Sequence, residues 1–353
     1  MTDPAAGNKK FSSTPITRIG LVTLLVVLLT LFASAGWFLL YLQSPAVQQD
    51  SDTVTVTIPK GSSVKVIGEI LEKADLVHAD IRFLLLARFS GYGTRLQAGE
   101  FALPTEKKPL ELLEFLASAK PVQYSVTIPE GLRIEEIAEI FSRGKWCDKT
   151  KFIALSRDQQ FLNQLGFENH SSLEGYLFPD TYNFTKTTVG AAAILSRMVS
   201  RFTSVWQQLT AELTDIPDQL QTITLASIVE KETGAPKERN HIAGVFHNRL
   251  KTGMRLQSDP TVIYGTKKFG LPITRKDLVQ PTSYNTYTLP GLPAGPICNP
   301  GKAAIAAVLS PLPTKNLYFV SKNDGTHKFS ASLREHNRAV LKYQRKKTAK
   351  KGK

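Results

Sequence analysis

The first long pattern along the chain is an uncharged, mostly apolar run of 24 residues from Ile19 to Leu42. As a helix it would extend about 36 Å, enough to cross a hydrocarbon core of roughly 30 Å with some tilt. Lys9, Lys10 and Arg18 precede it, and Asp3 is the only acid before it. The positive-inside rule therefore leaves the N-terminus in the cytoplasm and exports everything after Gln43. Trp37 and Tyr41 fall where an interfacial aromatic belt would lie. A cleavable signal peptide is the competing reading, with Ala33-Ser34-Ala35 as its site. The apolar run continues past that point through Trp37 to Leu42, which favours an uncleaved anchor.

Beyond a polar linker, the pattern switches to short alternating strands followed by helical spacing. Val56-Thr57-Ile58-Pro59-Lys60-Gly61 recurs 70 residues later as Val126-Thr127-Ile128-Pro129-Glu130-Gly131. Val64, Ile67, Ile70 and Leu71 correspond to Ile134, Ile137, Ile140 and Phe141. Each copy predicts a strand, a Pro-x-Gly turn and an amphipathic helix. Two copies are too few for a solenoid and suggest a duplicated βα module. Between them, Leu96 to Phe101 predicts a short strand and Leu110 to Ala119 a helix.

From about Phe152 onward the spacing is helical. Thr222 to Thr233 and His241 to Thr252 are the clearest helices, separated at Ala235-Pro236 because proline disfavours the α conformation in the residue before it. After Met254 the chain turns irregular, with Ser258-Asp259-Pro260, Leu289 to Pro296 and Asn299-Pro300-Gly301. Leu317 to Ser321 then predicts a strand and Leu333 to Tyr343 a closing helix.

Composition changes this picture in three ways. At 353 residues and 42% hydrophobic content, the chain can bury a sizeable core in more than one domain. Its net charge of +14 calls for a partner hypothesis. Outside the cytoplasm, lipid headgroups or a cell-wall polymer fit better than nucleic acid. Part of the excess sits in a basic tail from Lys342 to Lys353. Cys147 and Cys298 lie 151 residues apart without a motif, so a disulfide and two separate thiols both stay open. No metal-binding spacing, P-loop or dinucleotide fingerprint is present, so no cofactor is expected.

The candidate chemistry centres on one carboxylate. In Thr224-Leu225-Ala226-Ser227-Ile228-Val229-Glu230-Lys231-Glu232-Thr233, helical spacing places Glu232 on the stripe of Leu225, Ile228 and Val229, and Glu230 well off it. An acid ending an apolar face should have a raised pKa and can serve as a general acid. The alternative is a Glu232 that pairs with a buried Arg or caps an element. The segment Glu232 to Gly301 is also dense in groups able to bind sugars: Asn248, Arg249, Gln257, Asp259, Tyr264, Tyr284, Asn285, Tyr287 and Asn299. Residue by residue, Asp259-Pro260 and Asn285-Thr286 could equally cap helices and turns.

Several strings resemble the YceG-like family, the endolytic murein transglycosylases (MltG). They are Ala226 to Thr233, Phe246 to Leu250, Gly253 to Gly265, Tyr284 to Tyr287, Gly291-Leu292-Pro293, Ile297 to Gly301 and Glu174 to Tyr182. The resemblance implies cleavage of peptidoglycan strands within the chain, at the β-1,4 bond between N-acetylmuramic acid (MurNAc) and N-acetylglucosamine (GlcNAc). It implies Glu232, followed by Thr233, as the acid/base, with Glu230 as the alternative. Arg249, Gln257, Asp259, Tyr284, Asn285 and Tyr287 are the substrate-binding candidates. It also implies action near the inner membrane beside penicillin-binding synthases.

The expected fold class is α+β: a transmembrane helix, small LysM-like βα modules, then a mainly helical, lysozyme-like catalytic domain with irregular loops. The expected division is a cytoplasmic stub at 1–18, an anchor at 19–42 and a linker at 43–52. A LysM-like module at 53–120, a second βα repeat at 121–160, a catalytic domain at 161–343 and a basic tail at 344–353 follow. A noncatalytic glycan-binding scaffold for wall-synthesis enzymes is the other function to weigh.

Overall fold

The computed structural model describes residues 15–44, 52–186, 190–232 and 234–344. Most of the expected cytoplasmic stub, most of the linker, Thr233 and the end of the basic tail lie outside the described residues. The chain is a mixed α+β protein that divides into two compact units, the first ending at Gln123 and also taking in Thr185 and Lys186.

The first unit opens with α1 (Pro15–Gln43). Within it, Ile19–Gln43 is long and apolar enough to span a membrane, and its Leu, Val and Phe side chains stand exposed along almost the whole length. Near its end Tyr41 is buried, donates to the His78 carbonyl at 2.9 Å and lies under the Arg82 guanidinium, which also covers Trp37. These two rings are therefore tied to the folded unit as well as placed at the helix end. Next come β1 (Thr53–Ile58), α2 (Val64–Lys73), α3 (Ile81–Phe89), β2 (Gly99–Pro104) and α4 (Pro109–Ser118). β1 and β2 pair antiparallel with Val56 opposite Phe101 and Ile58 opposite Gly99. That register turns Val56, Ile58, Phe101 and Leu103 inward onto Ile67 and Leu71 of α2. It also sets the strand three residues later than the expected Leu96 start, after a 3₁₀ turn at Tyr92–Thr94.

The second unit contains the second copy of the repeat. Its elements are β3 (Tyr124–Thr127), α5 (Ile134–Arg143), α6 (Lys149–Leu155), α7 (Gln159–Gln164), β4 (Thr181–Phe184), α8 (Ala191–Thr210), α9 (Gln219–Glu232), α10 (Arg239–Lys251), α11 (Asp259–Thr266), α12 (Arg275–Val279), α13 (Lys302–Leu309), β5 (Tyr318–Ser321), β6 (His327–Ser330) and α14 (Leu333–Tyr343). The repeat has a backbone cause: Gly61 and Gly131 both sit in the left-handed region, at φ +83 and +76, where a side chain is strained. The copies then diverge. β1 pairs with nearby β2, whereas β3 pairs antiparallel with the distant β4, with Val126 opposite Tyr182.

At the centre lies α9, packed against α13 and α10. Every residue from Thr222 to Val229 is buried. This corrects the single-stripe expectation: the middle of α9 is enclosed on all sides, with Gln221 and Lys231 exposed near its ends, so both Glu230 and Glu232 emerge from the interior. The stretch after Met254 is also more regular than its turn-rich sequence suggests. Ser258 is the N-cap of α11 and Pro260 sits in its first turn, where a missing N–H has no intrahelical partner to lose. Cys147 and Cys298 are free thiols, and Cys298 is buried with its Sγ 3.4 Å from the Ser227 carbonyl.

Candidate active site

The two glutamates at the end of α9 are held in different ways. Glu230 accepts from the Gly301 N–H at 3.0 Å and from the Arg239 guanidinium at 3.4 Å. Arg239 also reaches Glu130 at 3.4 Å, in the Pro-x-Gly turn of the second repeat. Burial pushes the Glu230 carboxyl up, and Gly301 and Arg239 pull it back. Glu230 is thus the buried, ion-paired carboxylate that the alternative reading described for Glu232. Its network ties the repeat's turn to α9; the first copy has Lys60 at the place of Glu130.

Glu232 has a different environment. Its Oε1 accepts from the Ser258 hydroxyl at 2.5 Å. Burial is the largest influence and raises its carboxyl above the ordinary glutamate range. Asp259 raises it further, while the Ser258 hydrogen bond, His327 and Arg249 oppose the shift. The residue still keeps a partly exposed surface. The result is a desolvated acid with a hydroxyl partner and access to solvent, the arrangement a proton donor needs.

Ser258 is itself rigidly placed. It is buried; its N–H donates to Thr286 Oγ1 at 2.9 Å and its carbonyl accepts from Thr261 Oγ1 at 2.6 Å. Gln257, just before it, adopts a left-handed backbone at φ +51 and donates its N–H to the Thr286 carbonyl. Its side chain is exposed next to the site. Asp259 Oδ1 accepts from the Tyr287 hydroxyl at 2.7 Å. Both Asp259 and Glu232 raise the Tyr287 phenol, after burial.

Arg249 is buried, and donates from Nε to the Leu317 carbonyl at 2.7 Å and from Nη1 to the Leu256 carbonyl at 2.5 Å. Much of its hydrogen-bonding capacity thus goes to fixing the Leu256–Ser258 backbone and the entry to β5, while its charge reaches Glu232. Asn285 departs further from a sugar-binding role. It is fully buried; its amide donates to the carbonyls of Asp277, Leu278 and Gln280, and its Oδ1 accepts from the Tyr287 N–H. It staples the loop that presents Tyr287. Tyr284 points elsewhere, packing against Tyr264 with ring centroids 4.7 Å apart and planes tilted by 54°, and lining a small cavity with Glu174. Asn299 is likewise consumed, accepting from the N–H groups of Gly175 and Leu177 and donating to Leu132 and Glu174.

The structure therefore gathers Glu232, Asp259, Tyr287, Arg249 and the Gln257 backbone, and leaves the side chains of Tyr284 and Asn285 outside that group. Sequence reasoning missed Ser258, Thr286 and His327. Ser258 and Thr286 carry no separate signal beyond the strings that contain them. His327 comes to the site from β6, where it engages Glu238 at 2.7 Å.

The YceG-like family matches residues 56–342, which includes every residue of this site. The chain belongs to the YceG-like family. An endolytic murein transglycosylase from Bacillus subtilis (strain 168) is 33% identical over 86% of this chain and 88% of its own length. One from Streptococcus pneumoniae (strain D39) is 31% identical over 90% of this chain, which spans 64% of that longer relative. A crystal structure of a yceG-like protein from Listeria monocytogenes, 31% identical, superimposes with a TM-score of 0.57 over 81% of this chain and 98% of its own. The YceG-like match begins in β1 and ends in α14, so it leaves out α1.

Proposed function

We propose that this chain is an endolytic lytic transglycosylase that cuts the MurNAc–GlcNAc β-1,4 bond within peptidoglycan strands and leaves 1,6-anhydro-MurNAc ends. The observation that carries the reading is Glu232: a desolvated carboxyl at the end of a helix whose middle is buried on all sides, partnered by a hydroxyl and not by a cation. Protonated Glu232 donates its proton to the glycosidic oxygen as the bond to C1 of MurNAc breaks. The resulting carboxylate then takes the proton of the MurNAc 6-hydroxyl, whose oxygen bonds to C1. One carboxyl returns to its starting state, and no water is consumed. The Asp259–Tyr287 pair lies close enough to influence Glu232, and offers negative and dipolar character beside a developing oxocarbenium ion. Gln257 is the exposed amide in reach of the sugar.

Around this centre, α1 serves as a single-pass inner-membrane anchor with a cytoplasmic N-terminus. The unit built on β1–β2 acts as a LysM-like module, and the helical unit acts as a lysozyme-like catalytic domain. The enzyme works beside penicillin-binding synthases and ends strand elongation. The deciding experiment weighs the products from uncrosslinked glycan strands. Fragments lighter by one water than hydrolysis products support transglycosylation. Hydrolysed ends would refute it and make Asp259 the second carboxylate of a hydrolase. Binding without cleavage would point to the scaffold function.

A further inference from the structure

A second feature of the helical unit lies outside the site just described. Between the β5–β6 hairpin and α14 runs an open cleft of about 800 Å³. Lys322, Lys328, Arg338 and Lys342 line it, and among the described residues none of the four makes an ion pair with a carboxylate. The one acid on its wall, Glu335, is engaged in capping: its carboxylate accepts from the Ala331 N–H at 3.2 Å and its own N–H donates to Ser332. Ser330 also lines the cleft, is only 3% exposed, and its Oγ has no hydrogen-bond partner. A buried hydroxyl left without a partner costs free energy unless a ligand or water completes it. Lys322 donates to Thr326 Oγ1 at 3.1 Å and lies near Asp324, which leaves Lys328, Arg338 and Lys342 as the cations with no free acid beside them; together with an unsatisfied hydroxyl on a lining residue they describe a binding site for an anionic ligand.

The position of the cleft says which anion. His327 forms part of its wall and also stands within electrostatic reach of Glu232. The hairpin is also tied to the site directly: Arg249 donates to the Leu317 carbonyl at the entry to β5 at 2.7 Å and lies over the Tyr318 ring of β5, so a group bound in the cleft sits on an element shared with the catalytic group. We infer that the cleft between β5–β6 and α14 is a subsite for the carboxylates of the peptide stem borne on the MurNAc lactyl group. This rests on the transglycosylase reading above. A stem carries several carboxylates on a flexible chain, which suits cations spread along a hairpin and a helix better than a single compact pocket would.

The test uses the full-length chain in detergent and two substrates: uncrosslinked strands with intact stems, and the same strands after enzymatic removal of the stems. The double variant Arg338→Glu with Lys342→Glu changes exposed helix positions. The ratio of kcat/KM for stem-bearing over bare strands should fall about tenfold in the variant. In parallel, a soluble muramyl tripeptide should bind the Glu232→Gln chain and lose about tenfold in affinity when the two reversals are added. An unchanged ratio, equal losses on both substrates, or no binding of the tripeptide would overturn the inference. So would a loss seen only for vesicles of phosphatidylglycerol and phosphatidylethanolamine, which would assign the cleft to the membrane surface. If neither substrate is cut by the unmodified chain, the transglycosylase reading fails while the tripeptide measurement still decides the cleft.

Discussion

Glu230 and Glu232 are the same residue type two positions apart, and their partners separate them. Glu232→Gln removes the donor without changing shape, so turnover should fall by at least about 10²-fold with thermal stability retained; measurable turnover near the parent rate would dismiss Glu232 as the acid/base. Glu230→Gln should do the opposite. It strips the charge that faces Arg239 across a pair with side chains 7% and 13% exposed, and should lower stability by about 1–3 kcal/mol in chemical denaturation. The pH dependence follows from direction alone. Because burial raises the Glu232 carboxyl, the proposed proton donor keeps its proton to higher pH than an ordinary glutamate, and kcat should decline as pH rises through that raised value. The Ser258 hydrogen bond favours the ionised form, so Ser258→Ala should shift the declining limb to higher pH. A limb that stayed put or moved down would contradict the assigned contact.

At the scale of elements, the site depends on helices brought close together and on loops pinned by their own amides. Gly244 of α10 shows how tight the packing is: a Cβ there would run into the Leu312 carbonyl, on the segment leading to β5. Gly244→Ala should destabilise the unit by about 1–3 kcal/mol through that clash, despite alanine's better helix propensity. An unchanged melting temperature would show that the 310–316 segment yields. The buried amides explain why a cluster rich in sugar-binding residue types contains side chains that are taken up by the protein's own backbone. Asn285 spends its donors and acceptor on backbone groups within its own loop, and Asn299 on groups of distant segments, which is how irregular backbone is satisfied inside a protein.

For the whole molecule, the pH dependence of stability carries a separate mark. Glu174 is buried, and burial pushes its carboxyl up to about 8 despite bonds from the Ile134 N–H and the Tyr264 hydroxyl. The folded chain thus holds a proton there that the unfolded chain has released. This contribution to stability is complete below the unfolded value near 4.5 and is lost as pH rises through about 8. Melting temperature should therefore fall from pH 5 to pH 8, and Glu174→Gln should flatten that fall. The same slope in both chains would locate the proton elsewhere.

The sequence by itself determined what local periodicity and backbone chemistry govern. A membrane-length helix, the duplicated strand–turn–helix with its obligatory Gly61 and Gly131, the helices at α4, α9, α10 and α14, and the family strings around Glu232 are all legible there. These features depend on residues near in the chain. The tertiary structure decided the rest. That β3 pairs with β4, that His327 reaches the carboxylate from β6, and that α14 closes a cationic cleft are contacts across long stretches of chain, which periodicity does not encode. It also decided which glutamate is paired and which is available. Helical spacing placed only Glu232 on an apolar stripe, but the middle of α9 is buried on every side and both acids are desolvated. The distinction came from what the folded chain brought to each of them: a guanidinium to Glu230 and a hydroxyl to Glu232.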